Sequence, residues 1–127
     1  MIIKKLWELP ILSSQLENGL QISSNGMDIS LSFTYLADEN LEKEVELKFD
    51  SVLCHLHTSE RFTKAMLEAY DTVVQIDESD WLNELKKLNE RDYEFWKPKH
   101  YAVYFDGIGL YQFIAKDFVT IEKEVYK

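Results

Sequence analysis

Hydrophobic and polar positions alternate with period two through most of the first half of the chain. The clearest run is residues 28–36, where Ile29, Leu31, Phe33 and Tyr35 alternate with Ser30, Ser32 and Thr34. Period two with β-branched and aromatic residues predicts a strand with one buried face. Asn25-Gly26 precedes it, and Asn-Gly suits both positive-φ positions of a type I′ turn, so residues 20–24 are the expected hairpin partner. Asn18-Gly19 could turn residues 11–17 onto that strand, although alternation there is poor. Residues 43–50 alternate again, with Val45, Leu47 and Phe49 against Glu44, Glu46, Lys48 and Asp50. The apolar phase then moves to Val52, Cys54 and Leu56, the signature of a β-bulge in a continuing strand. Four strands in meander order are therefore expected before residue 58.

The middle of the chain changes period. Phe62, Ala65, Met66, Ala69, Tyr70 and Val73 fall on one face of a 3.6-residue repeat, predicting a helix from Glu60, capped by Thr58 or Ser59. A second helix follows Asp77 or Ser79, with Trp81, Leu82, Leu85 and Leu88 as its stripe. Glu78 and Asp80 sit in its first turn and Lys86, Lys87 and Arg91 towards its end, both favourable to the helix dipole. Pro98 closes this region. Residues 99–106 return to alternation, Asp106-Gly107 marks a hairpin, and residues 110–116 form its second arm. Residues 118–125 are a third strand of this group or a terminal extension. The expected order is β-β-β-β-α-α-β-β-(β). It describes an α+β fold with a mainly antiparallel sheet and helices packed on one face.

Length makes this a single domain, 1–127, able to bury about two-thirds of its unfolded surface. The net charge of −9 is spread evenly, −5 over residues 1–58 and −4 over residues 59–127. Phosphate backbones are bound by clustered Lys and Arg, which are absent here, so nucleic acid is not an expected partner. An anionic membrane is not one either, and a diffuse negative field favours a basic protein. Cys54 is the only cysteine and cannot form an internal disulfide, which suits a reducing, cytoplasmic compartment. No apolar run approaches the roughly 20 residues of a membrane helix.

Chemistry-bearing residues are few. His55 and His57 share one face of a strand, and such a pair could hold zinc with a third ligand from His100 or Glu60. The plainer reading is two ordinary histidines at a strand end. Cys54 and His55 point to opposite faces and cannot form a nucleophile–base pair. No Gly-rich phosphate loop or paired Cys-x-x-Cys is present. The aromatic residues crowd into 93–113, and beyond those a core needs they suit an interface, where Tyr and Trp serve as anchors.

Residues 73–118 contain a tryptophan-headed helix, Ile76-Asp77-Glu78-Ser79-Asp80-Trp81-Leu82. An aromatic hairpin, His100-Tyr101-Ala102-Val103-Tyr104-Phe105-Asp106-Gly107-Ile108-Gly109-Leu110-Tyr111-Gln112-Phe113, follows it. This third of the chain resembles small uncharacterised cytoplasmic proteins of bacilli, some of them immunity partners of secreted polymorphic toxins. The resemblance implies a non-enzymatic protein-binding role and carries over no catalytic residue and no cofactor. The expected surface for a basic partner is Glu44, Glu46, Asp50, Tyr104, Asp106 and Tyr111. Two alternatives compete with it. One is a small zinc-dependent enzyme using His55, His57 and His100. The other is a small-ligand pocket lined by Trp81, Trp96 and Tyr101.

Overall fold

A computed structural model describes residues 2–17, 19–39, 41–64 and 66–125. Seven strands form one sheet: β1 (Ile2–Glu8), β2 (Gln21–Asn25), β3 (Asp28–Asp38), β4 (Leu41–Thr58), β5 (Thr72–Asp77), β6 (Lys99–Phe105) and β7 (Gly109–Val125). Their spatial order is β1-β5-β6-β7-β4-β3-β2, and every neighbouring pair is antiparallel. Two helices, α1 (Asp80–Leu88) and α2 (Glu90–Trp96), connect β5 to β6. The fold is α+β, as expected, with a different element order.

The β2–β3 hairpin turns through Gly26-Met27, with Asn25 paired to Asp28; of the two turn residues Gly26 alone has positive φ, +63°, so the turn sits one residue later than the type I′ turn expected at Asn25-Gly26. On the inner face of the sheet Leu31, Phe33, Val45, Leu47, Phe49, Val103, Phe105 and Phe113 are buried in one cluster. Phe49 lies at its centre, stacked on Phe113 with 4.1 Å between ring centroids and 5.1 Å from Phe118. Residues 9–17 cross this face as a strap, with Leu9, Ile11 and Leu16, and beyond them Leu20, packed on the cluster. The strap is pinned by Ser13, whose N–H donates to Asp71 Oδ2 at 3.2 Å and whose Oγ accepts from the Asp106 N–H at 2.7 Å.

Residues 11–17 are therefore not a strand. They hold a 3₁₀ turn, Ser13–Gln15, within the strap. The first strand is instead β1, which pairs with the sequence-remote β5. The helix expected from Glu60 is also absent. Two 3₁₀ turns, Glu60–Phe62 and Leu67–Ala69, stand there, and Val73 belongs to β5. The apolar stripe was misleading because its first member, Phe62, is 83% exposed. Thr72-Val73-Val74 is a β-branched run that suits a pleated surface better than a helix. Ala65, counted in that stripe, lies outside the described residues.

α1 begins where Ser79 Oγ accepts the Leu82 N–H at 3.2 Å. Its stripe ends early. Asn89 breaks the helix and caps α2, its Oδ1 accepting the Asp92 N–H at 3.1 Å, and Leu88 is left 81% exposed. α1 meets the sheet where Trp81 stands against His100.

The register shift in β4 lies between Val52 and Cys54, after Val52 and not before it as the change of apolar phase suggests. It turns Cys54 away from Val52: Val52 pairs with Ala115, Cys54 with Ile114, so the two point to opposite faces. Residues 118–125 continue β7, which is one strand and not two.

Candidate functional site

The end of the sheet formed by the β6–β7 hairpin brings together more chemistry-bearing side chains than any other described part of the molecule. The hairpin closes with the Ile108 N–H donating to the Phe105 carbonyl at 3.1 Å. Residues 59–62 cross over the hairpin tip. At Gly109, φ is +118° and a Cβ would collide with the Thr58 carbonyl oxygen, so only glycine lets the two segments meet. Glu60 Oε2 accepts the Gly107 N–H, and this ties the crossing segment to the tip.

On the outer face of this end, Tyr70 stacks on Tyr104 with 5.4 Å between centroids and 26° between planes. The Asp71 N–H donates to the Tyr104 carbonyl at 2.9 Å, which holds the backbone of this segment against β6. Asp71 itself has φ +52°. Desolvation raises the pKa of the Tyr70 phenol, and the neighbouring carboxylate of Asp106 adds to the shift. Tyr104 is raised in the same way, by desolvation and then by Glu60 and Asp106. An open hollow of about 260 Å³ adjoins the pair, lined by Thr63, Lys64, Met66, Leu67, Tyr70 and Tyr104. Two tyrosine rings, two carboxylates and an apolar floor can hold a cationic side chain. The rings supply cation–π attraction of about 0.5–2 kcal/mol and the carboxylates an opposite charge.

On the inner face of the same end, His57 stacks on Tyr111 with 4.3 Å between centroids, and its Nε2–H donates to the Ile108 carbonyl at 2.9 Å. His55 stacks more loosely on Phe113 at 6.1 Å. Burial pushes the Tyr111 phenol pKa up, and burial does the same to the Cys54 thiol on the opposite face.

The six residues expected to meet a partner separate into two groups. Tyr104, Asp106 and Tyr111 lie at the hairpin end, with Tyr104 and Tyr111 on opposite faces because Tyr111 pairs with Val103. Glu44 and Glu46 lie on the outer face of β4, beside Lys123 and Ile121 of β7. Ten residues of β7 separate Tyr111 from Ile121, roughly 30 Å at strand rise. Glu44 pairs with Lys123 at 3.4 Å and Glu46 accepts the Ser30 hydroxyl at 2.6 Å. Asp50 sits between the groups, accepting the Ser51 hydroxyl at 3.3 Å. The alternation of β4 revealed Glu44 and Glu46, and the hairpin motif revealed Tyr104 and Asp106. Tyr70 and Glu60 were missed as binding residues, Tyr70 because it was read inside a helix. The β-branched run from Thr72 was the signal that placed it at a strand entrance.

The three histidines do not converge. His55 and His57 pair with Phe113 and Tyr111, His100 with Ile114, and these positions alternate across β7. His100 is 5% exposed beneath α1, and burial lowers its pKa. Among the described residues no group of three His, Cys, Asp or Glu side chains is placed to hold a metal ion. Trp81, Trp96 and Tyr101 do not share a pocket either. Tyr101 faces the inner cluster, Trp81 meets His100, and Trp96 lines a separate hollow with Leu53, Leu85, Tyr93 and Pro98. No described helix is long and apolar enough to cross a membrane.

Comparison with protein families, curated proteins and solved structures gives no match for this chain.

Proposed function

We propose that this chain is a non-enzymatic cytoplasmic protein-binding domain that takes a basic partner, in the manner of an immunity-type inhibitor of a basic toxin. The observation that carries the reading is the Tyr70–Tyr104 stack, flanked by Glu60 and Asp106 beside an apolar hollow. Stacked rings fixed by backbone pairing lose little entropy on binding, which is what makes tyrosine an effective anchor. The net charge of −9 steers a basic protein towards the surface and raises its on-rate. The carboxylates Glu44 and Glu46 contribute to that field at long range. Their engagement with Lys123 and Ser30 makes them poorer direct contacts than the hairpin end.

The test is an NMR titration of the ¹⁵N-labelled chain with an arginine-rich peptide. Shifts are expected to concentrate at Glu60, Tyr70, Tyr104, Asp106 and Gly107, and to vanish in Tyr104→Ala. Shifts confined to the Glu44–Glu46 face, unchanged in that variant, would overturn the assignment of the anchor.

A further inference from the structure

β7 is longer than the strand beside it. β6 covers only its first half, pairing Lys99–Phe105 with residues 109–115. On the other side β4 follows β7 as far as Val125. Residues 117–125 therefore present a row of backbone N–H and C=O groups on the β6 side with no described strand beside them. Among the described residues, no backbone hydrogen bond outside the ladders reaches residues 117–123 of this row. Free edges are usually blunted by proline, by a bulge or by charged side chains. Residues 117–125 contain no proline and pair with β4 without a shift of register; their charges, Asp117, Glu122, Lys123 and Glu124, are of both signs and so select a register rather than forbid pairing. On the outer face Val119 is 50% exposed and Ile121 45%.

The sequence of this edge limits what can lie along it. A second copy added antiparallel about a two-fold axis must keep inner residues with inner and outer with outer, because side chains alternate with period two. Only registers centred on a residue satisfy this. Centred on Thr120, the register sets Val119 opposite Ile121, Asp117 opposite Lys123 and Phe118 opposite Glu122. Apolar side chains meet across the axis, opposite charges meet at each end, and no like charges are opposed. Centred on Ile121, Val119 would face Lys123 and the charge pairing would be lost. Centred on Val119, Asp117 would face Ile121 and the charge pairing would again be lost; because Lys99 occupies the edge beside Ala115, the paired span would also shrink from residues 116–124 to residues 116–122. Asp117 already pairs with Lys99 and Lys123 with Glu44, each at 3.4 Å; both pairs are solvent-exposed and weak, so either can be exchanged for the pair across the axis, which sets register more than affinity.

We propose that two copies of this chain join their β7 edges antiparallel about Thr120, making one continuous sheet across a symmetric dimer. Each copy carries −9, so the dimer tightens as salt screens the repulsion. Capture of a basic partner has the opposite salt dependence, which separates the two claims.

Sedimentation equilibrium of the full chain, over a range of protein and salt concentrations, tests this. The expected result is a monomer–dimer equilibrium that shifts towards dimer at high salt. Thr120→Glu and Thr120→Lys each place like charges opposite one another on the axis, and both are expected to weaken association at least tenfold. They change net charge in opposite directions, so a shared effect cannot come from charge alone. Ser23→Glu, on the exposed β2 edge, is expected to leave the dimer intact. A mass that stays monomeric at every concentration would overturn the proposal. So would a dimer that survives both Thr120 variants with native circular dichroism.

Discussion

The rings of Trp81 and His100 stand perpendicular, 5.4 Å apart, and through this contact α1 meets β6. His100 Nε2–H donates to Gln112 Oε1 at 2.9 Å, while Nδ1 is buried with no hydrogen-bond partner among the described residues. Its ladder neighbours Ile76 and Ile114 are uncharged. A neutral imidazole fits this site, whereas a proton on Nδ1 would be a buried, unpaired donor.

The pH dependence follows from that arrangement. Burial holds the folded-state pKa of His100 below the ordinary 6.5. Above that pH, folded and unfolded chains are both neutral at this residue and it contributes no pH dependence. As pH falls below it, the unfolded chain binds a proton that the folded chain refuses, so stability is lost. The thermal midpoint is expected to fall between pH 7 and pH 5. His100→Gln, which keeps an amide beside Gln112, is expected to flatten that slope; an unchanged slope would place the titration elsewhere.

Gly109 and Gly26 both have positive φ, but only Gly109 is crowded by backbone. Gly26→Ala is expected to cost about 1 kcal/mol, the conformational term alone. Gly109→Ala adds a collision with Thr58 and is expected to cost about 3 kcal/mol or more, read by urea denaturation. Equal costs would mean that the crossing of residues 59–62 over the hairpin yields easily.

Phe49 joins the two halves of the inner cluster, touching Phe113, Phe118 and Tyr101. Phe49→Ala is expected to cost about 3–5 kcal/mol in chemical denaturation. The same packing, with Asp117 nearby, pushes the Tyr101 phenol up to about 12. Spectrophotometric titration of the folded chain should find this tyrosine ionising after the exposed ones.

Asn89 ends α1 and caps α2, bonding to the Asp92 N–H through Oδ1 and to the Asp92 carboxylate through Nδ2. Asn89→Ala is expected to cost about 1 kcal/mol, with loss of hydrogen-exchange protection in residues 90–96.

Where a pattern was local, the sequence disclosed the structure. Gly26 marked the β2–β3 hairpin, though its turn is Gly26-Met27 and not Asn25-Gly26, the alternation of Val45, Leu47 and Phe49 set β4, Ser79 set the start of α1, and Asp106-Gly107 set the last hairpin. The misses involve pairings distant in the chain. β1 and β5 are stable as strands because they pair with each other, and β5 also with β6. Nothing within residues 60–73 displays that partner, so a helical spacing that began at the exposed Phe62 outweighed the β-branched Thr72-Val73-Val74. The candidate site was half legible for the same reason. Tyr104 and Asp106 belong to a local hairpin, while Tyr70 and Glu60 reach it only through the chain crossing at Gly109.

The central claim is that the hairpin end binds a basic protein. The measurement that tests it most directly is calorimetric titration of the chain with the product of its adjacent gene, the partner an immunity-type protein would have. It should be run at low and high salt with wild type and a Tyr70→Ala/Tyr104→Ala variant. The account predicts tight binding by the wild type that weakens with salt and a large loss of affinity in the variant. No binding at either salt, or binding that the variant leaves unchanged, would contradict it.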